Sequence, residues 1–141
     1  MPLAVVVMAS VLVVQALVFQ DGGIDALGAN LLVMGILPAL AGTGVRRLWH
    51  KGGRLADVCT LVGGAVAVLA GATIVLVLLW ISDAVAENVG FWQALAVMDG
   101  IHLLIGLIEG AASVAVVQYV LKFRREAVFP DVLPQAEVAT A

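Results

Sequence analysis

Four long apolar runs separated by short polar breaks make up almost the whole chain. The first, residues 3–19, is interrupted only by Ser10 and Gln15, and at ~1.5 Å per residue it is just long enough to cross a ~30 Å hydrocarbon core. A secretory signal peptide would need a basic start and a small-residue cleavage site. Met1-Pro2 is not basic and Val14-Gln15-Ala16 is a poor cleavage site, so this run reads as a retained span. The second run, 28–46, contains Pro38, which is expected to kink or break its helix locally. Asn30, Met34 and Pro38 follow at helical spacing, a stripe expected to face protein rather than lipid. The third run, 58–81, has Asp57 or Thr60 as candidate caps. Its Cys59, Gly63, Ala67 and Gly71 recur every fourth residue, the small-residue pattern that lets membrane helices approach closely. The fourth, 92–121, opens on Phe91-Trp92 and contains the pair Gly106 and Gly110. At roughly 45 Å if fully helical it must tilt or protrude. No internal repeat is present. The pattern predicts an all-α polytopic membrane bundle of about four transmembrane helices over 1–125. Residues 126–141, with Pro130 and Pro134 and no periodicity, predict a disordered tail.

The polar breaks set the orientation. Gln20 to Ala26 contains adjacent glycines, Gly22 and Gly23, that permit a tight reversal, and the acids Asp21 and Asp25. The third break carries Ser82, Asp83, Glu87 and Asn88. All seven Lys and Arg lie elsewhere: Arg46, Arg47, Lys51 and Arg54 in the second break, Lys122, Arg124 and Arg125 after the fourth run. The positive-inside rule then predicts cytoplasmic N- and C-termini and a cytoplasmic 46–54 loop. Trp49 and Trp80 read as interfacial anchors, and His50 as a solvated loop residue.

Composition agrees: 63% of residues are hydrophobic and 12% charged, against about half and a quarter in a soluble domain. The single Cys59 excludes an internal disulfide and reads as a small buried hydrophobe. No P-loop and no HExxH occur, which leaves no support for ATP hydrolysis or an intramembrane metalloprotease by this chain. Nothing basic and aromatic suggests nucleic acid.

The candidate chemistry lies in the fourth run. Asp99, His102 and Glu109 fall within about 80° of one helix circumference, with Gly106, Gly110 and Ser113 close to the same face. Ionised groups inside a membrane are costly and face the bundle interior, pair or stay protonated. A metal or proton pathway and a set of hydrogen bonds between helices both fit this stripe. It does not supply the three or four convergent ligands of a metal site.

Two stretches carry a family resemblance. "LVVQALVFQDGGIDALGAN", residues 12–30, resembles a segment of the CbiM and NikM proteins, the substrate-capture subunits of energy-coupling-factor transporters for cobalt and nickel. "DGIHLLIGLIEGAASVAVVQYVLKFR", residues 99–124, resembles that family's second signature, with "IGxxEG" following a His. The resemblance implies uptake of Co²⁺ or Ni²⁺ at the cytoplasmic (inner) membrane, together with a transmembrane coupling subunit and cytoplasmic ATPase subunits. It also implies a metal held by a Met-His N-terminus and a further histidine. This chain begins Met1-Pro2 and lacks that histidine, so it resembles the C-terminal portion of the family. No metal ligand carries over, and no cofactor is expected on this chain alone. Asp21, Asn30, Asp99, His102 and Glu109 remain as polar residues of structural or supporting role.

Three functions follow as expectations. One is a truncated or split transporter subunit whose metal site needs a partner chain supplying the N-terminal segment. A second is a non-transporting membrane scaffold or inactive remnant. The third is a homo-oligomeric channel or carrier lined by the Glu109 stripe.

Overall fold

A computed structural model of the chain describes residues 2–20, 22–51, 53–85 and 89–129. Asp21, Glu87, Asn88 and the tail beyond Phe129, together with the His50 side chain, lie outside the described residues. Within them the fold is all-helical. Helix α1 is Pro2–Phe19. Helix α2 starts at Leu27–Asn30 and ends with Leu37–Lys51. Helix α3 is Arg54–Ile81, α4 is Phe91–Phe123, and α5 is the single turn Arg125–Val128. The first four are long and apolar enough to cross a membrane, so the chain is a multi-pass membrane protein.

Pro38 does not break α2. The helix widens into a π-helical stretch, Leu31–Ile36, just ahead of it, and continues to Lys51. Proline offers no N–H to the carbonyl one turn back, and the helix meets that missing bond with a wider turn rather than a break. A second π-helical stretch, Gln15–Phe19, ends α1, closed by Gln20 in the left-handed conformation with its N–H on the Gln15 carbonyl. The reversal that follows uses Gly22 and Gly23, at φ +73° and +67°. A Cβ on Gly22 would collide with the Asn30 side-chain nitrogen, so the turn folds down onto the start of α2.

The basic stretch expected as a loop over 46–54 is mostly helix. Nothing in it breaks a helix before Gly52-Gly53, and α3 begins directly at Arg54 after Gly53, at φ +87°, with no side-chain cap. Asp57 and Thr60, the expected caps, serve other contacts. Asp57 accepts a 2.8 Å hydrogen bond from Gln118 of α4, and Thr60 accepts one of 2.9 Å from the Trp49 indole of α2.

Each long helix packs chiefly on its neighbour in sequence: α1 on the π-helical part of α2, α2 on α3, α3 on α4. The stripe Cys59, Gly63, Ala67, Gly71 does face α2. A Cβ on Gly71 would stand 3.3 Å from Val33, and one on Gly63 3.4 Å from Val45. The closest approach, however, is on another face of α3. There Gly106 and Gly110 of α4 lie against the backbone of Ala65 and Leu61, and a Cβ added to Gly64 would stand 3.0 Å from the Gly110 Cα. Most buried residues of α3 are small: Ala56, Ala65, Ala67, Gly71 and Ala72, with Leu76 the exception. This is the membrane mode of packing, in which backbone proximity rather than exclusion of water drives association. Large apolar side chains such as Leu104, Ile108 and Val66 point outward, as lipid-facing residues should.

Aromatic groups mark both ends. Trp80, Phe91 and Trp92 stack edge-to-face with centroids 5.2 and 5.3 Å apart. At the other end Trp49, Ala56 and Phe129 form a buried cluster with Val45, Leu48, Val117 and Leu121 around it. Phe129 is only 2% exposed. Arg125–Val128 forms a single helical turn, which carries Phe129 back to the cluster around Trp49 of α2 and Val117 of α4. An exposed Arg124–Glu126 pair at 2.8 Å bridges this turn. A backbone hydrogen bond, with Arg124 beside it, holds the Glu126 carboxyl below the usual carboxylate range.

Candidate functional site

Helices α2 and α4 both lean on α3 and leave a groove of about 360 Å³ between them. Its floor is Gly63, Gly64 and Ala67, where small side chains keep the helix surface low. One wall is Pro38, Gly42 and Arg46 of α2. The other is Glu109, Ser113 and Val117 of α4. Trp49, held by Thr60 and backed by Phe129, closes one end.

The depth of Glu109 follows from the register. Within α3, Thr60 and Trp80 stand twenty residues apart, or ~30 Å, one hydrocarbon thickness. Gly110 contacts Leu61 and Gly64, so Glu109 sits about one helical turn from the Trp49–Thr60 level. Its sequence position midway between Trp92 and Lys122 suggests the middle of the membrane. The packing shifts it toward the Trp49 end, because α4, at 33 residues and ~50 Å, runs well past that level.

The expected stripe is divided. Asp99 faces α3 and accepts from the Thr73 hydroxyl at 3.3 and 3.4 Å. His102 is half-buried, with its Nδ1 2.7 Å from the Met98 carbonyl one turn earlier. A carbonyl can only accept, so that contact places a proton on Nδ1. Glu109 is exposed, on the α2 side of α4, and lines the groove. Two full turns separate His102 from Glu109, so the structure does not bring the three into one cluster. Among the described residues no three His, Cys, Asp or Glu side chains converge. Asn30 lies over the Gly22 turn, apart from both.

The sequence pairs none of these groups; the structure sets Thr73 beside Asp99 and Gln118 beside Asp57, and places Arg46 on the wall opposite Glu109. Intramembrane Thr73 carried the only available signal, a hydroxyl in an otherwise apolar stretch. Arg46 carries no such signal, because its charge alone reads as a loop.

A family model described as "cobalt uptake substrate-specific transmembrane region" (CbiM) matches residues 1–127. The chain is 36% identical over 130 residues to a Haloquadratum walsbyi protein named a "putative metal transport protein". It is 35% identical over 130 residues to an Archaeoglobus fulgidus protein named a "putative fused nickel transport protein NikMN". These alignments cover 90% and 91% of this chain, but only 56% and 40% of the relatives' own lengths. No solved structure matches the chain significantly.

Proposed function

The chain belongs to the CbiM family, and on that premise we propose that it is a membrane component of a Co²⁺ or Ni²⁺ uptake transporter of the energy-coupling-factor kind. The observation that carries the reading is the family match across residues 1–127, which takes in all four spans. In this reading the protein resides in the cytoplasmic membrane. A coupling subunit and cytoplasmic ATPase subunits drive it, since the sequence offers no phosphate-binding loop of its own. The chain acts as a transport component rather than an enzyme, and Co²⁺ or Ni²⁺ is cargo.

Tight capture of either ion takes several convergent donors, nitrogen above all for Ni²⁺. The described residues bring no three candidate ligands together. The proposal therefore includes a metal site completed by ligands from a partner chain. The glycine-floored groove and the tight α3–α4 pair would serve as the scaffold on which that site is built.

The test is uptake of radioactive Co²⁺ and Ni²⁺ by cells lacking their own transporters. The chain would be expressed with a family coupling subunit and ATPase subunits, with and without a co-expressed Met-His-bearing N-terminal segment. Uptake above background that needs both this chain and ATP supports the proposal. Background uptake in every combination, with the chain present in the membrane, would leave the scaffold reading in its place.

A further inference from the structure

We infer that the groove between α2 and α4 is the docking site for a transmembrane helix of a partner subunit, one carrying a lysine or arginine at the depth of Glu109. The inference concerns assembly and does not depend on which ion is carried. Glu109 lines the groove and is exposed in it. Among the described residues it has no hydrogen-bond or ion-pair partner, the one ion pair there being Arg124 with Glu126. Glu109 lies only about one helical turn in from the Trp49–Thr60 level, but a helix seated in the groove would take its carboxylate out of water, and a cation on that helix would offset the cost. The Ser113 hydroxyl, one turn further along α4, lines the same groove and offers a second hydrogen-bonding group.

The shape points to a helix. A floor of Gly63, Gly64 and Ala67 is the surface on which another helix can lie closely. A lipid tail would fill the apolar part but would leave the carboxylate without a donor. A second copy of this chain is less suited, because its Lys and Arg cluster at 46–54 and 122–125 and its Arg46 already lines its own groove. Arg46 stands on the wall opposite Glu109 without forming an ion pair to it. It lies near the Trp49 end, where a long side chain can extend to the headgroups.

The experiment uses the full chain in phosphatidylcholine vesicles with labelled synthetic single-span helices of leucine and alanine. One helix carries a lysine at the depth of Glu109, the other a leucine there. Energy transfer reports association. The lysine helix should bind at least about threefold tighter than the leucine helix, and Glu109→Gln should remove that difference while helicity stays unchanged. In Ser113→Cys chains the lysine helix with a matching cysteine should crosslink, and Ile108→Cys, on the outward face, should not. Equal binding of the two helices would overturn the proposal, and would fit Glu109 being satisfied by Arg46 or left to lipid. Crosslinking of Ser113→Cys chains to one another would overturn it in favour of a second copy. Loss of helicity in Glu109→Gln would overturn it by making Glu109 part of this chain's own packing.

Discussion

Gly110 of α4 lies directly on the backbone of Leu61 in α3: a Cβ there would stand 2.5 Å from the Leu61 carbonyl oxygen and 2.9 Å from its Cα. Neither atom can yield without moving a helix. Gly110→Ala should therefore destabilise the protein by about 1–3 kcal/mol, the usual cost of overpacking. Gly100, on the same helix with nothing within 4 Å, is the control, since its change to alanine should be neutral or slightly stabilising. Thermal unfolding in detergent measures both. Equal stability of the two variants would mean that α3 and α4 are not so closely apposed.

The Trp49 indole donates to Thr60 and packs on Phe129. In a background with Trp80 and Trp92 replaced by phenylalanine, Phe129→Ala should shift Trp49 emission to the red as water reaches the ring. Thr60→Val should cost about 1 kcal/mol through the lost hydrogen bond. Unchanged emission after Phe129→Ala would show that the terminal turn does not cover the tryptophan.

Asp99 is tied to α3 by Thr73. Thr73→Val should lower stability by about 1 kcal/mol, and by less when Asp99 is already asparagine, because the two residues share one interaction. A double-mutant cycle by unfolding in detergent decides it. Strict additivity would make the contact incidental.

The segregation of Lys and Arg predicts sidedness. Reporters inserted near Lys51 and fused after Arg125 should both report cytoplasm, and one at Gly22 the opposite side. A non-cytoplasmic signal at Lys51 would contradict the orientation.

Metal binding by the chain alone should be weak. Isothermal titration of Ni²⁺ and Co²⁺ into the purified protein should give only adventitious affinity, and His102→Ala should barely change it. The Nδ1 proton of His102 is engaged with Met98, and Asp99 and Glu109 point to different neighbours. Submicromolar binding abolished by His102→Ala would place the metal site on α4.

The number and order of spans were legible in the sequence because a membrane helix must satisfy its own backbone and therefore announces itself as an apolar run. The glycine reversal after α1 and the small-residue stripe facing α2 were legible for the same local reason: each depends on residues adjacent or four apart. The exact helix ends were not. Pro38 reads as a kink or a break, yet α2 runs on through it, with a π-helical stretch just ahead. Arg46 to Lys51 reads as loop because of its charge, yet nothing there stops a helix.

What the tertiary structure decided is which faces meet. Helical periodicity groups Asp99, His102 and Glu109 on one side of α4. It does not say that α3 meets that side at its centre, taking Asp99 to Thr73 and leaving Glu109 on the shoulder toward α2. That follows from where Gly106 and Gly110 admit the α3 backbone, and therefore from the shapes of two helices together. The depth of Glu109 has the same origin, since it is read from the level at which α4 crosses Leu61. Phe129 is the clearest case. Its burial against Trp49 joins the end of the described chain to α2 across eighty residues of sequence, and such a contact exists only once the helices between have packed.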